Sequence, residues 1–363
     1  MLIDDTMIEA LMSCAKAGAT ACPAVVPPKQ SAAALAQAGR RLRCLSLVAG
    51  PISHLPQCPP ELSDQLARVL VGTWATYTLT AASVTPVLDQ ARAAGIKVVV
   101  YKGAAQAARY YVDPSARPMT DIDLLVADQD KGGIREILER NRFRMLSTPG
   151  RDWTAKVSHE YTFAPPIDGS RMIDVHTSPT PPARYHLPVT AMLARSTPGV
   201  LFGVPVQFLM AEDELIVMAT NQAFDHFRSG FVRFLDAWLI TTRIAIDWDV
   251  VAENARAAGA AAAAWLTLTL AEQIAGVPVP RAVLTRLRPP LARRLWLAAL
   301  LDTRGMGEPR RQLSRRLEQL LLVYPLIDDT RGFLRFAGFH GRLRLLDASQ
   351  QLMDLWTKGR PRS

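Results

Sequence analysis

The sequence predicts an α+β protein in which a small mixed sheet lies between N-terminal helices and a C-terminal helical domain. Apolar residues repeat with helical spacing before residue 95 and again after residue 210. Between these segments, short β-branched and apolar runs of strand length occur, beginning with IKVVVY at residues 96–101. The chain has 363 residues and is 49% apolar, which is enough for two or three domains with a sizeable core.

These patterns divide the chain into four predicted segments. They are a weakly ordered lead-in at 1–30, an N-terminal helical region at 31–94, an α/β core at 95–210 and a basic C-terminal helical domain at 211–363. The lead-in is inferred from an acidic start followed by the loop-like string CPAVVPPK. The N-terminal region ends in a helix at 63–94, with an interruption expected near Pro86 because proline lacks a backbone N–H.

Individual elements follow from the same periodicities. Beyond the first strand, we expect strands at 121–126, 143–147, 159–164, 171–176 and 204–208. Within the core, helices are expected at 104–111 and 131–141. Later helices are expected at 212–227, 231–244, 249–258 and 260–275, followed by basic helices to the end of the chain.

Composition limits the classes of protein to consider. The N-terminus is acidic where a secretory leader would be positive, and the longest apolar run, at 257–271, falls short of the roughly 20 residues that span a bilayer. We therefore expect a cytoplasmic protein without a transmembrane segment.

The net charge of +9 is concentrated after residue 280, where the sequence has 17 Lys and Arg but only 7 Asp and Glu. Such basic helices could meet nucleic acid, a membrane surface or an acidic substrate, although solvated faces are the more common outcome, so nucleic acid is not favoured.

The string TDIDLLV carries the strongest chemical signal. Asp121 and Asp123 lie two residues apart in an apolar strand, so both point to the same face of the sheet. Neighbouring, partly buried carboxylates repel each other, and a divalent cation would neutralise them. Oxygen ligands favour Mg²⁺, or Mn²⁺, which usually also contacts substrate phosphates. The expected substrate is therefore a phosphate ester or anhydride.

A third acid stands in the string MIDVH. Asp174 could complete a carboxylate triad in which it holds the ion that activates an acceptor hydroxyl, while Asp121 and Asp123 bridge two ions. His176 has the same strand parity and could orient a ligand, although a histidine that is merely hydrogen-bonded is an equal alternative. By contrast, His159 and Glu160 are adjacent on a predicted strand. They should face opposite ways, so we do not expect them to share a metal site.

Upstream of the carboxylates lies a strand-to-helix turn, YKGAA. Gly103 would let the backbone approach a ligand, and the helix N-terminus offers unpaired N–H groups that suit a triphosphate. Lys102 could add a point charge, and Arg117 a bidentate contact, to the phosphates.

The ordered string YKGAAQAARYYVDPSARPMTDIDLLV, followed by MIDVH, resembles the uncharacterised nucleotidyltransferase family of the DNA polymerase β-like superfamily. The matching positions are Lys102, Gly103, Arg117, Asp121, Asp123, Asp174 and His176. The resemblance implies Asp121, Asp123 and Asp174 as catalytic metal ligands, and Lys102, Gly103, Arg117 and His176 as nucleotide-binding residues. One departure concerns the phosphate grip: the superfamily usually has a Gly-Ser turn close before its carboxylate pair, but here Ala104 replaces the serine, and Gly103 lies 18 residues before Asp121.

The function that this resemblance implies is metal-dependent transfer of a nucleoside monophosphate from an NTP such as ATP to a hydroxyl or phosphate acceptor, with release of pyrophosphate. Because relatives are often encoded near peptide-modification genes, a biosynthesised peptide or an antibiotic-like small molecule is a candidate acceptor. Two alternatives stay open. One is transfer of another phosphate-activated group, such as a sugar from its nucleotide. The other is an inactive relative that binds a peptide or nucleic acid.

Overall fold

The computed structural model describes residues 4–22, 24, 26, 30–146, 159–181, 184–225, 227, 230–300, 324–328, 334 and 338. The helices before the sheet are α1 (Asp5–Thr20), α2 (Ala32–Arg41), α3 (Leu45–Ser53) and α4 (Pro60–Ala93). The predicted strand at 143–147 extends in part, and the basic helices after residue 300 extend almost wholly, outside the described residues.

Helix α1 corrects the prediction of a weakly ordered lead-in. The Asp4 side chain accepts a hydrogen bond from the backbone N–H of Met7, which caps the helix. Leu11, Cys14 and Ala15 are completely buried in the core. The acidic start therefore marks a helix N-terminus, where negative charge is stabilising, rather than a disordered segment.

Helix α4 corrects a second prediction, because it continues through Pro86 without interruption. A proline inside a helix removes one backbone hydrogen bond. Here Val84, Val87 and Leu88 are buried around it and hold that stretch of the helix against the sheet.

The described residues form a seven-stranded mixed sheet in the order β3-β4-β5-β2-β1-β7-β6. The strands are β1 (Val99–Tyr101), β2 (Asp121–Leu125), β3 (Arg144–Met145), β4 (Glu160–Ala164), β5 (Met172–His176), β6 (Thr197–Leu201) and β7 (Val204–Phe208). Strand β2 is parallel to β5, β1 is parallel to β7, and the other neighbours are antiparallel. The expected α+β fold with a mixed sheet is thus present.

Strand β6 was not predicted. Its sequence, TPGVL, contains Pro198 and Gly199, both of which weaken a strand signal. The strand lies at the edge of the sheet, where proline is tolerated because an outward-facing N–H is not needed for pairing.

The two faces of the sheet follow the alternation of side chains along each strand. One face carries Val100, Ile122, Leu124 and other apolar residues, which pack against α4 and α6 (Lys131–Arg140). The opposite face, here called the site face, carries Tyr101, Asp121, Asp123, Asp174 and His176. Its apolar part packs against α7 (Val189–Ala194) and α8 (Ala211–Phe224).

The helices after the sheet are α8, α9 (Gly230–Arg243), α10 (Trp248–Ala257), α11 (Ala261–Ala275), α12 (Arg281–Leu287) and α13 (Leu291–Leu300). Buried residues of α1, α2 and α3 join those of α8 to α11 in one hydrophobic cluster. Residues from both ends of the described chain therefore fill a common core. Among the described residues, no helix has the length and apolar character needed to cross a membrane.

Candidate active site

Strand register brings two of the predicted carboxylates side by side. In the parallel pair of β2 and β5, Asp123 lies opposite Asp174, and on the other side Tyr101 of β1 lies opposite Asp123. Paired residues of neighbouring strands point to the same face. The site face therefore presents a row of Tyr101, Asp123 and Asp174. Asp121 lies on the same face, two residues before Asp123 in β2.

Asp123 is the centre of the polar contacts. It is 3% exposed, and its Oδ1 lies 2.6 Å from Nζ of Lys102 and 2.9 Å from Nε2 of His176. Burial raises the pKa of Asp123, but the charge of Lys102 and the hydrogen bond from His176 outweigh burial and lower the pKa to about 2. Asp123 is therefore ionised at neutral pH.

The negative charges of Asp121 and Asp174 are less well neutralised by nearby positive groups than that of Asp123. Burial and the charge of Asp123 raise the pKa of Asp121, against the opposing effect of Lys102. Burial raises the pKa of Asp174 to about 6, with contributions from Glu160 and other nearby carboxylates, although a hydrogen bond from Thr162 opposes the shift. Excess negative charge therefore accumulates in this part of the sheet.

The donor set fits a divalent cation. Asp123, Asp174 and His176 each offer a ligand atom, and these atoms lie within 4.8 Å of one another. Within the part of the chain that the structure describes, the buried Oδ1 of Asp174 has no hydrogen-bond partner. A buried, unpaired carboxylate oxygen is costly, and a cation would remove that cost. Asp121 lies beside this group but is not a member of it.

Lys102 occupies a strained position at the end of β1. Its φ is +55°, in the left-handed region, and it begins helix α5 (Lys102–Tyr110). A residue other than glycine pays roughly 1–2 kcal/mol for this conformation. The bend directs the ammonium group onto Asp123, and the Lys102 side chain stays 26% exposed. Such strain is typical of functional sites.

Arg117 does not point to an open phosphate site, and the predicted contact is therefore revised. Its Nε lies 3.0 Å from Oδ1 of Asp236, and its Nη2 lies 2.6 Å from Oδ2 of the same carboxylate. Further hydrogen bonds go to the side chain of Gln106 and the backbone carbonyl of Pro118. Both members of this ion pair are buried, so the guanidinium ties the loop before β2 to helix α9.

Gly103 makes room for that guanidinium. A Cβ atom at this position would lie 2.7 Å from Nη1 of Arg117 and 3.4 Å from Cβ of Met119. The absence of a side chain was predicted to admit a ligand, but in this structure it admits Arg117.

The side chains of His159 and Glu160 lie close together, contrary to the expectation that they face opposite ways. Together with His176, they offer ligand atoms that all lie within 4.8 Å of one another. Strand β4 begins only at Glu160, so His159 precedes the strand and is not bound by its alternation. Burial, and next to it the neighbouring His176, lower the pKa of His159 to about 4.

Two buried acids in the later helices, Asp236 and Glu214, support the site although neither was among the predicted site residues. Asp236 lies within the apolar string FLDAWLI, where a charged residue on a buried helix face was the available signal. Glu214 of α8 lies 2.9 Å from Nη1 of Arg109 and accepts a 2.8 Å hydrogen bond from the hydroxyl of Tyr110. Glu214 therefore holds α5, the helix that begins at Lys102. Asp236 holds the loop between α5 and β2 through Tyr111 and Arg117.

Comparison with known proteins assigns the family. The model of a family described as uncharacterised nucleotidyltransferase matches residues 28–276, which is more than half of the chain. The chain belongs to this nucleotidyltransferase family. The matched segment includes every candidate site residue from Lys102 to His176, and it also includes Asp236.

Other comparisons add little to the family assignment. None of the curated proteins matches the sequence. A solved structure, that of the antibiotic-resistance factor ANT(2'')-Ia, matches with 17% identity over 61% of this chain and 95% of its own, at a TM-score of 0.30. A superposition of this quality supports no argument about the site.

Replacing Gly103 by Ala tests the packing of Arg117 against the turn between β1 and α5. We expect Gly103→Ala to lower the free energy of unfolding by about 1–3 kcal/mol, because the added methyl group displaces the hydrogen-bonded Arg117. Urea denaturation followed by circular dichroism measures the change. Gly132→Ala is the matched control, since nothing lies within 4 Å of its added Cβ in helix α6. That variant should be as stable as the wild type or up to about 1 kcal/mol more stable. Equal stability of the two variants would contradict the packing argument.

Proposed function

We propose that this nucleotidyltransferase transfers a nucleoside monophosphate from an NTP to a hydroxyl or phosphate acceptor and releases pyrophosphate, with Mg²⁺ or Mn²⁺ as cofactor. The observation that carries the proposal is the pairing of Asp123 with Asp174 across two parallel strands, with one oxygen of Asp174 buried and unpaired. A site that concentrates carboxylates beside one lysine is suited to a cation and a polyphosphate.

The residues that would hold the cofactor are Asp123 and Asp174, with Asp121 beside them. When bound there, a divalent cation supplies charge neutralisation to the phosphates and favours the ionised form of an acceptor hydroxyl. These carboxylates are borne by β-strands, so their positions are set by the sheet rather than by a flexible loop.

Lys102 is proposed to bind the triphosphate. Its ammonium group contacts the buried Asp123, its side chain is 26% exposed, and the residue begins helix α5. The first turn of that helix also has backbone N–H groups without helical partners, which favour an anion. Both features attract negative charge to the same side of the site.

Asp174 is proposed to accept the proton of the acceptor. Its pKa of about 6 leaves it mostly ionised at neutral pH while keeping it more basic than an ordinary aspartate. Positioning and charge then supply most of the expected rate enhancement.

The acceptor is proposed to be a peptide or a small molecule, in a cytoplasmic biosynthetic reaction. The family supports a nucleotide donor. The acceptor class rests instead on the peptide-modification genes near which relatives of this family are often encoded.

The test is a magnesium-dependent assay of pyrophosphate release with each of the four NTPs, using water or fractionated cell extract as the acceptor source. We expect Asp174→Asn to lower release about a hundredfold, since general-base catalysis contributes about 10²–10⁴-fold. Asp168→Asn, in the exposed turn before β5, should retain wild-type release. Release that persists in EDTA, or that is equal in the two variants, would refute the proposal.

Nucleotide binding provides a test that needs no acceptor. Calorimetric titration of the wild-type chain should show NTP binding that requires Mg²⁺. Absence of such binding would favour an inactive relative over an enzyme.

A further inference from the structure

Beside the carboxylate pair lies a second cluster of ligand atoms, formed by His159, Glu160 and His176. The backbone holds it together: Glu160 and His176 are direct partners in the antiparallel pair of β4 and β5. The carbonyl of His159 accepts a 2.9 Å hydrogen bond from the N–H of Thr177, which fixes the residue before β4. The three side chains therefore converge at one end of this strand pair, with ligand atoms within 4.8 Å of one another.

The hydrogen bonding of His176 leaves one ring nitrogen directed into this cluster. Its Nε2 lies 2.9 Å from Oδ1 of Asp123, and because a carboxylate oxygen accepts hydrogen bonds, Nε2 is the ring nitrogen that carries the proton. In the neutral imidazole, Nδ1 then presents a lone pair. His176 is 2% exposed, and among the described residues its Nδ1 has no hydrogen-bond partner. The Glu160 Oε2 atom lies 3.9 Å away, which is too far for a hydrogen bond.

The unpaired Nδ1 of His176 is buried and lies near the partly exposed carboxylate of Glu160, and a cation bound there would satisfy it. We propose that His159, Glu160 and His176 bind a divalent transition-metal ion of the zinc type, next to the carboxylate pair. Two imidazoles and one carboxylate are a donor set that Zn²⁺ favours, whereas Mg²⁺ favours oxygen ligands alone.

The hydrogen bond between His176 and Asp123 is of the kind that supports a zinc ligand. Histidines that ligate zinc usually donate their other ring N–H to a carboxylate, which fixes the tautomer and strengthens the ligand. Asp123 accepts from Nε2 while Nδ1 faces His159 and Glu160, so His176 has this arrangement. The two cation sites are thus joined through one imidazole. The zinc-type site does not depend on nucleotidyl transfer.

Because His176 belongs to both clusters and Asp123 contacts it, the test uses residues that belong to one cluster only. His159 contributes only to the zinc-type cluster, and Asp174 contributes only to the carboxylate cluster. The full chain is stripped with EDTA, dialysed and titrated calorimetrically with Zn²⁺ in excess Mg²⁺. Titration with Co²⁺ adds a spectroscopic readout, because visible absorption of the bound ion reports nitrogen and oxygen ligation.

We expect the wild type to bind one Zn²⁺ per chain in the presence of Mg²⁺. His159→Ala should weaken binding by at least about tenfold, since even outer-shell changes cost about 10–100-fold in metal affinity. Asp174→Asn should retain the site. Glu160→Gln serves as a second variant if His159→Ala fails to fold, because the Glu160 side chain is 41% exposed and tolerant of change. It should also weaken binding.

Three outcomes would overturn the proposal. The first is failure of the wild type to bind Zn²⁺ in excess Mg²⁺. The second is wild-type affinity in folded His159→Ala. The third is loss of Zn²⁺ in Asp174→Asn alone, which would place the ion at the carboxylate pair. Zinc binding without nucleotidyl transfer would refute only the proposed function.

Discussion

Replacement of Asp123 by Asn is expected to lower magnesium-dependent pyrophosphate release by about a thousandfold. The substitution keeps the shape of the side chain but removes the charge that pairs with Lys102 and that the proposed cofactor requires. Charge stabilisation of this kind contributes several kcal/mol to a transition state, and about 4 kcal/mol corresponds to a thousandfold in rate. The measurement is initial-rate pyrophosphate release at saturating NTP, with Mg²⁺-dependent NTP affinity measured on the same samples.

Asp128→Asn is the matched control for this prediction. Asp128 follows β2 closely, but its side chain is 83% exposed, so the substitution should leave release unchanged. A thermal melt of each variant separates loss of chemistry from loss of folding. Turnover of folded Asp123→Asn near the wild-type rate would remove Asp123 from the mechanism and, with it, the proposed cofactor site.

Replacement of Asp236 by Ala is expected to lower the free energy of unfolding by about 3–5 kcal/mol. Arg117 would be left buried without its bidentate partner, and the hydroxyl of Tyr111 would lose its 2.7 Å hydrogen bond to the same carboxylate. Removing one member of a buried ion pair costs this much because the remaining charge is uncompensated. Chemical denaturation with urea measures the change.

Asp89→Ala provides the comparison for an exposed ion pair. Asp89 lies 3.7 Å from Arg92 on the surface of α4, and both side chains are at least half exposed. Surface pairs contribute about 0–1 kcal/mol, so this variant should remain within about 1 kcal/mol of the wild type. If Asp236→Ala were equally mild, the Arg117 pair would not be the structural link between the loop before β2 and helix α9.

Much of the fold was predictable from local patterns. The runs at β1, β2 and β5 are apolar and of strand length, and they form the centre of the sheet. Errors arose where a local signal had two meanings. The acidic start of α1 caps a helix, Pro86 lies within a helix that its neighbours hold, and Pro198 with Gly199 concealed an edge strand.

The candidate site shows the same division. Strand alternation placed Asp121 and Asp123 on one face, because side chains repeat every second residue. The contact between Asp123 and Asp174 depends on which strands become neighbours and in which register, and nothing local to either strand determines that. Arg117 illustrates the difference most clearly. Its nearness in sequence to the carboxylates suggested a phosphate contact, yet its partner is 119 residues away.

By itself, the sequence determined most of the helices and strands in the core, the shared face of Asp121 and Asp123, and a family motif in the correct order. The tertiary structure decided that Asp174 joins Asp123, that Arg117 is a buried structural cation, and that His159 and Glu160 converge on His176. The physical reason is distance along the chain. Periodicity and capping act within a few residues, whereas pairing of strands and of buried charges is chosen by packing of the whole core.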